Sequence, residues 1–234
     1  MSVVLHQFDD NAALSESLAE CIASGLEGAI NLRDQATLAV SGGSTPKPLF
    51  DAMSHCDLDW SRVSVTQVDE RWVPEEHADS NAQLIRAHLL QNNAAEARFL
   101  SMKVAGDDVF AAEAACAEKL APFAEAIDVA VLGMGEDGHT ASFFPDAEQL
   151  PAALDPDSRA LCLGLRPPAA PHDRMTLSLA ALLRSRQLYL HITGEKKFAV
   201  LEQALAGEDA TELPIRAVFN RDEDPLEMFY APGS

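Results

Sequence analysis

Apolar residues recur along the chain at two spacings, which predict strands and helices in alternation. Residues 3–8 form a short apolar run typical of a strand, and Asp9 or Asp10 after it suits a helix N-cap. The next apolar residues recur at every fourth position over about five turns. This spacing predicts a long helix with one buried face, formed by Leu14, Leu18, Ile22, Leu26 and Ile30.

The alternation continues along the rest of the chain. Compact apolar runs predict strands at 37–40, 63–68, 127–132 and 187–193, and helical spacing predicts helices at 46–53, 80–91, 107–124 and 195–206. Apolar strands joined by helices predict an α/β fold, a mostly parallel open sheet with helices on both faces. We expect a single domain spanning 1–234, with the proline-rich stretch 145–173 as surface excursions rather than a boundary.

Composition narrows the classes of partner. The chain has 234 residues and is 47% hydrophobic, a composition that argues against disorder. Its net charge of −20 argues against nucleic-acid binding and against docking on an anionic membrane. No apolar run approaches the ~20 residues of a membrane span, and the start lacks an export signal. Four cysteines lie far apart without metal-ligand spacing, so we expect reduced thiols, a cytoplasmic location, no metal and no other cofactor.

In an open α/β sheet the ligand binds beyond the carboxyl ends of the strands, and a glycine loop follows the strand at 37–40. Gly42 and Gly43 permit a tight turn and a close approach to a ligand. The Ser44 and Thr45 hydroxyls, with the amides at the start of the next helix, form a donor-rich concavity suited to phosphate. The P-loop pattern is absent, and a plain glycine turn with a Ser or Thr helix cap is the alternative interpretation.

Charged residues mark further candidate positions. Asp69, Glu70 and Arg71 close the next strand, where they either point into a cleft or form a solvated cluster. Arg174 in the proline-rich region and Lys197 in the first turn of the last predicted helix could meet an anion. Ordinary surface charges are the alternative for both.

The loop after the strand at 127–132 carries the strongest chemical signal. Three of its glycines match G-x-G-x-x-G, but acidic residues would lie beside the pyrophosphate and Pro145 would end the following helix, so we reject a dinucleotide site. The glycines instead expose Asp137 and His139, and a carboxylate beside an imidazole fixes its tautomer for proton transfer near neutral pH. The other six histidines have no comparable setting, and none has metal-ligand spacing.

Together these segments resemble the 6-phosphogluconolactonase family. The resemblance rests on the strings at 41–46 (SGGSTP), 69–71 (DER), 133–145 (GMGEDGHTASFFP), 174–177 (RMTL) and 194–197 (GEKK), in family order over nearly the whole chain. Glucosamine-6-phosphate deaminase/isomerase shares the phosphate loop, but it continues its histidine with Ile-Ala-Phe-Asn-Glu-Pro and has an aromatic residue where Arg71 stands. The sequence is therefore more similar to the lactonase, which implies a Rossmann-like fold of the sugar-phosphate isomerase type.

The resemblance implies hydrolysis of 6-phospho-D-glucono-1,5-lactone to 6-phospho-D-gluconate in the oxidative pentose phosphate pathway, by a monomer or small homo-oligomer. It implies that His139 acts as general base on water, that Asp137 orients its ring, and that Arg71 stabilises the oxyanion. The implied ligands of the 6-phosphate are Gly43, Ser44, Thr45, Arg174 and Lys197. Asp69 and Gly42 are further candidate site residues without an assigned role, and a purely structural role is the alternative for Asp69 and Glu70.

Two other functions stay open from the sequence. One is a sugar-phosphate isomerase or deaminase on the same scaffold, with Asp69 as the proton-shuttling base, and the other is a non-catalytic sugar-phosphate sensor. In each case a chain with net charge −20 binds an anion against its own field. We expect the acidic excess to lie on the outer surface, as at 222–224, while the site uses three of the 17 basic residues.

Overall fold

A parallel sheet of seven strands runs through the centre of the molecule. The structure, a computed structural model, describes residues 3–168, 170–219 and 225–233. Its strands are β1 (Val3–Gln7), β2 (Ala36–Val40), β3 (Val63–Gln67), β4 (Asp69–Arg71), β5 (Arg98–Phe99), β6 (Val129–Leu132), β7 (Cys162–Leu165), β8 (Arg174–Leu177), β9 (Gln187–Thr193) and β10 (Leu226–Ala231). The central sheet has the order β1-β10-β9-β6-β2-β3-β5, and every neighbouring pair in it is parallel.

Helices cover both faces of this sheet. They are α1 (Asn11–Arg33), α2 (Lys47–Ser54), α3 (Asn81–His88), α4 (Glu113–Lys119), α5 (Leu150–Ala153), α6 (Leu179–Leu183) and α7 (Glu195–Leu205). Alternate residues of β2 point to opposite faces: Leu38 and Val40 pack in the core beneath α1 and α2, whereas Ala39 packs in the core with α4, α6 and α7. The predicted α/β fold with a parallel sheet is confirmed.

The first helix forms as its sequence pattern predicts. The Asp10 carboxylate accepts the backbone N–H of Ala13 at 2.9 Å and so caps α1. The first four apolar residues of the predicted face are buried, and the fifth, Ile30, is half-buried where the helix nears its end. None of the helices in the described ranges is long and apolar enough to cross a membrane.

A second, antiparallel sheet corrects two sequence-based expectations. β4, β8 and β7 pair in that order, so residues 69–71 form a strand of their own rather than the open end of β3. The stretch 145–173 is not surface excursion throughout, because it contains the largely buried β7. Its later prolines, Pro167, Pro168 and Pro171, lie in the turn between β7 and β8. Proline lacks the N–H that a strand ladder needs, so it collects in such turns.

The helix predicted at 107–124 is much shorter in the structure. Only α4 is α-helical there, followed by a 3₁₀ turn at Ala121–Phe123. Before it, the Asp108 carboxylate accepts the backbone N–H groups of Phe110 and Ala111 at 3.0 and 3.4 Å. This local bonding competes with a helix, and Pro122 lies in the 3₁₀ turn that follows it.

Candidate active site

A cavity of about 400 Å³ opens beyond the carboxyl ends of β2, β6 and β9. This is the edge at which an open α/β sheet binds its ligand. Nine of the ten residues selected from the sequence line the cavity, namely Gly42, Gly43, Ser44, Thr45, Asp69, Arg71, His139, Arg174 and Lys197. The tenth, Asp137, is in contact with His139.

The glycine loop forms one wall of the cavity. Gly43 has φ 97°, a left-handed conformation that favours glycine. Helix α2 begins after Pro46, and no side chain in the described part of the chain caps it, so the interpretation of Ser44 or Thr45 as a helix cap is wrong. Both residues instead line the cavity, and Thr45 Oγ1 accepts a hydrogen bond from Lys197 Nζ at 3.4 Å.

Lys197 reaches this loop from the first turn of α7. It is half-buried, and burial lowers the pKa of its ammonium group, while the charge of Glu136 acts in the opposite direction. An ammonium group that has lost part of its hydration beside a hydroxyl is suited to hold an anion.

His139 and Asp137 form a hydrogen-bonded pair in the loop after β6. Asp137 Oδ1 lies 2.5 Å from His139 Nδ1 and accepts the His139 backbone N–H at 3.2 Å. Burial raises the pKa of Asp137, but the hydrogen bonds and charge of His139 outweigh this and lower it. The His139 ring stacks on Phe144 with 4.3 Å between centroids. Because Nδ1 faces the carboxylate, Nε2 is the nitrogen that can exchange a proton with a ligand.

A glycine makes room for this imidazole. A Cβ atom built on Gly135 would lie 2.3 Å from the His139 ring, a distance that real side chains do not adopt. The Gly135 N–H also donates to the His139 carbonyl at 2.9 Å and closes the loop. Gly135 therefore leaves the space that the His139 ring occupies.

Two arginines stand opposite each other on the small sheet. Arg71 in β4 and Arg174 in β8 are direct cross-strand partners, and both line the cavity. Asp69 lies two residues before Arg71, hence on the same face of β4, and its charge offsets their mutual repulsion. Arg174 is 5% exposed, and burial lowers the pKa of its guanidinium while Asp69 acts in the opposite direction. This wall carries a net positive charge and favours an anion.

The carboxylates of Asp69 and Glu70 have different surroundings. Ser142 Oγ donates to Asp69 at 2.6 Å, and Asp69 faces the cavity. Glu70 points the other way and accepts the backbone N–H groups of Arg71, Asn81 and Ala82 at 2.7–2.8 Å. Burial raises the pKa of Glu70, and these hydrogen bonds oppose the rise. Glu70 therefore anchors β4 to α3, a structural role.

Asn81 and His191 also line the cavity, although neither was selected from the sequence. Asn81 is the first residue of α3; it donates to the Asp69 carbonyl at 2.8 Å and occupies the space left by the missing side chain of Gly42. No sequence motif marks Asn81. His191 is buried in β9 and lines the cavity, which corrects the grouping of this residue with histidines of no special setting. A polar residue inside an apolar strand is the signal that could have found it.

One group of side chains at the surface has the chemistry of metal ligands. The ligand atoms of His77, Asp79 and His172 lie within 4.8 Å of one another, and all three residues are exposed. They already bond to each other: His172 Nε2 lies 3.1 Å from Asp79 Oδ2, and the Asp79 N–H donates to His77 Nδ1 at 3.1 Å. These contacts tie the turn before α3 to the turn between β7 and β8.

Comparisons with known proteins show the family to which the chain belongs. The family model described as glucosamine-6-phosphate isomerases/6-phosphogluconolactonase matches residues 9–226. A 6-phosphogluconolactonase of Rhizobium meliloti (strain 1021) is 44% identical over 99% of this chain and 100% of its own length. A 6-phosphogluconolactonase of Pseudomonas putida is 42% identical over 99% of this chain and 94% of its own length. The crystal structure of a 6-phosphogluconolactonase from Shewanella baltica OS155 has a TM-score of 0.95 and 45% identity, covering 98% of this chain and 97% of that one. The chain therefore belongs to the glucosamine-6-phosphate isomerase/6-phosphogluconolactonase family.

Proposed function

We propose that this protein hydrolyses 6-phospho-D-glucono-1,5-lactone to 6-phospho-D-gluconate. The observation that carries the proposal is that His139, which is hydrogen-bonded to Asp137, lines one cavity with three cationic side chains. The activity named for the relatives at 42–45% identity supports the same substrate. Arg71 stands where the deaminase/isomerase has an aromatic residue, which favours the lactonase within the family.

The proposed reaction needs a base for water and a cation for the developing oxyanion. His139 Nε2 accepts a proton from water while Asp137 holds Nδ1–H and stabilises the imidazolium that forms. Water then attacks the lactone carbonyl, whose oxygen becomes negative and is held by Arg71. The ring C–O bond breaks, and the proton on His139 returns to the leaving alkoxide. A general base contributes about 10²–10⁴-fold and one oxyanion donor about 10²–10³-fold.

The 6-phosphate is assigned to the part of the cavity that the glycine loop lines. The amides of the loop at Gly43, the Ser44 and Thr45 hydroxyls, Lys197 and Arg174 bind it in this proposal. Lys197 already touches Thr45, so the ammonium group and the loop converge on one point. Several donors from separate elements fix the lactone ring at a set distance from His139, which lowers the entropic barrier to the reaction.

The wider setting follows from the same assignment. We propose that the chain acts as one domain, since β1 pairs with β10, and that it works in the cytoplasm, as a monomer or small homo-oligomer, in the oxidative pentose phosphate pathway. The proposed chemistry assigns each proton transfer and each charge to side chains of this protein. It requires no cofactor and no nucleic-acid or membrane partner.

An assay with three readouts tests the proposed function. Purified protein is mixed with fresh 6-phosphogluconolactone, and product formation is measured against the spontaneous hydrolysis; a rate proportional to protein concentration is expected. Ammonia release from glucosamine-6-phosphate without lactone hydrolysis would assign the chain to the deaminase/isomerase. A rise in Tm with 6-phosphogluconate, but no turnover of either substrate, would make it a sensor.

A further inference from the structure

A histidine that the proposed reaction does not use lies at the floor of the cavity. His191 is the fifth residue of β9, pairs with Phe229 of β10, and is 2% exposed. Side chains alternate along a strand, so His191 shares the sheet face of Tyr189, which packs in the core beneath α1 and α2. The glycine loop leads into α2, which covers this same face of the sheet. The imidazole of His191 therefore lies on the side of the sheet where the loop is, and both line the cavity.

The imidazole of His191 lacks the hydrogen bonds expected of a buried polar group. In the described ranges its Nε2 is shielded from solvent and has no hydrogen-bond partner, whereas buried polar atoms in proteins are almost always bonded. Burial lowers the pKa of His191 to about 4, and the charge of Lys197 acts in the same direction. The ring is therefore neutral at pH 7, with one N–H donor and one acceptor nitrogen.

The neighbours of His191 place it at the phosphate end of the cavity. Lys197 is the charged group whose field acts on His191, and Lys197 in turn bonds Thr45 of the glycine loop. Phe50 of α2 and the loop residues line the same space as the imidazole. A second cation here would repel Lys197, whereas a neutral imidazole adds a donor without adding charge.

We propose that His191 is a specificity residue that donates its ring N–H to the phosphate monoester of the substrate beside Lys197. The inference rests on the proposed function, because it assigns one more residue to the same site. In this arrangement the bound phosphate accepts a hydrogen bond from the imidazole where the ring lines the cavity. A lactone without the phosphate leaves the imidazole unpaired, and sites built around a buried donor discriminate against ligands that cannot accept from it.

Kinetics of two variants test the proposal. His191→Leu removes the donor, and we expect KM for 6-phosphogluconolactone to rise about tenfold, the value of one lost hydrogen bond, with kcat changed far less. KM for unphosphorylated gluconolactone stays within about twofold. His191→Gln keeps an N–H donor and restores most of the affinity. His55→Gln, at the exposed end of α2, is the matched control. Equal KM changes for both lactones would overturn the proposal.

A second experiment needs neither turnover nor the leucine variant. The ring nitrogens of His191 are followed by ¹⁵N NMR while 6-phosphogluconate, and separately inorganic phosphate, is titrated into the wild-type protein. We expect a neutral ring throughout, with the signal of its protonated nitrogen shifting as ligand binds. Binding of 6-phosphogluconate that leaves both nitrogen signals unchanged would refute the role of His191. Binding without lactone hydrolysis would refute the proposed function alone, so the two failures are distinguishable.

Discussion

Lys197 and Arg174 hold their charges in surroundings that disfavour charge. Burial lowers the pKa of both side chains. Both line the cavity that the glycine loop also lines. Desolvated cations of this kind interact strongly with an anion because little water competes for them. The energetic role we assign to them is binding of the phosphate rather than chemistry at the lactone carbonyl.

Substitution of these cations separates the two roles. Lys197→Ala and Arg174→Ala should raise KM for 6-phosphogluconolactone by about 10- to 100-fold, the value of a charged hydrogen bond. The rate with unphosphorylated gluconolactone should change much less. Steady-state kinetics with both lactones measure the effect, with Lys196→Ala, an exposed neighbour of Lys197, as control. The same loss for both lactones would show that these residues do not bind the phosphate.

The buried His191 predicts a pH dependence of stability. Its pKa is about 4 in the folded protein and about 6.5 in an unfolded chain. Between these values only the unfolded state takes up the proton, so stability contributed by the neutral ring is lost as pH falls from about 6.5 to about 4. The loss amounts to about 3 kcal/mol.

Urea unfolding of the wild type and of His191→Gln at several pH values measures this contribution. All other titrating groups are shared, so the difference between the two proteins isolates His191. The wild type should lose about 3 kcal/mol more than the variant between pH 7 and pH 4. Parallel profiles would show that His191 is not a buried neutral group.

Contacts between residues close in the sequence could be predicted, whereas most contacts between distant elements could not. Asp137 and His139 are two positions apart in a glycine loop, so the sequence alone brings their side chains together. Asn81 reaches Asp69 only because α3 packs beside β4, and no spacing reveals that. His191 stands out in the sequence only as a polar residue in an apolar strand, and the fold is needed to show that it lines the cavity.

The small antiparallel sheet positions the two arginines, and Glu70 holds that sheet in place. Its carboxylate accepts three backbone N–H groups from β4 and the start of α3. It also accepts from the side chains of Ser80 and Gln67, at 3.1 and 3.0 Å. A carboxylate can accept all of these bonds because both of its oxygens are acceptors.

Glu70→Gln should therefore destabilise the protein and disturb Arg71. The amide nitrogen of glutamine is a donor, so at least one N–H group of the chain loses its acceptor in the buried site. We expect the free energy of unfolding to fall by about 1–3 kcal/mol and kcat to fall with it, measured by urea unfolding and lactone turnover. Glu76→Gln, at an exposed position nearby, is the control. Unchanged stability would contradict the anchoring role.

Elements with a long helical period or a compact apolar run, such as β2 and β6, were predicted, whereas β7, β8 and β10 were not. α1 and β9 match their predicted ranges because periodicity or a run of apolar residues extends over many positions. β7 and β8 have four residues each, too few to show a period, and β8 also carries the buried Arg174. β10 is part of the central sheet but was not predicted from the sequence. The overestimated helix at 107–124 shows local Asp108 bonding overriding an apolar pattern.

The charge of the whole molecule opposes the substrate, whereas the charge of the cavity attracts it. The chain carries −20 overall, yet the described residues that line the cavity include three cations and one carboxylate. The acidic segment Asp222, Glu223 and Asp224, expected on the outer surface, lies outside the described residues. Surface charges beyond a Debye length of about 8 Å are screened at physiological salt, so they affect encounter more than binding.

This balance predicts the response to salt. kcat/KM for 6-phosphogluconolactone should rise as ionic strength increases from about 0.01 M to about 0.15 M, because screening weakens the repulsion during encounter. Initial rates at low substrate concentration measure it, with unphosphorylated gluconolactone as the uncharged control. A steep fall over the same range would mean that the positive field of the cavity dominates encounter.

The central claim of the proposed mechanism is that His139 acts as the general base. We predict that His139→Ala lowers kcat for 6-phosphogluconolactone by at least about 10²-fold, the contribution of a general base. The urea midpoint and the affinity for 6-phosphogluconate should stay close to those of the wild type, because the ring is partly exposed. His55→Ala serves as the control. Turnover of His139→Ala close to that of the wild type would contradict general-base catalysis at this site.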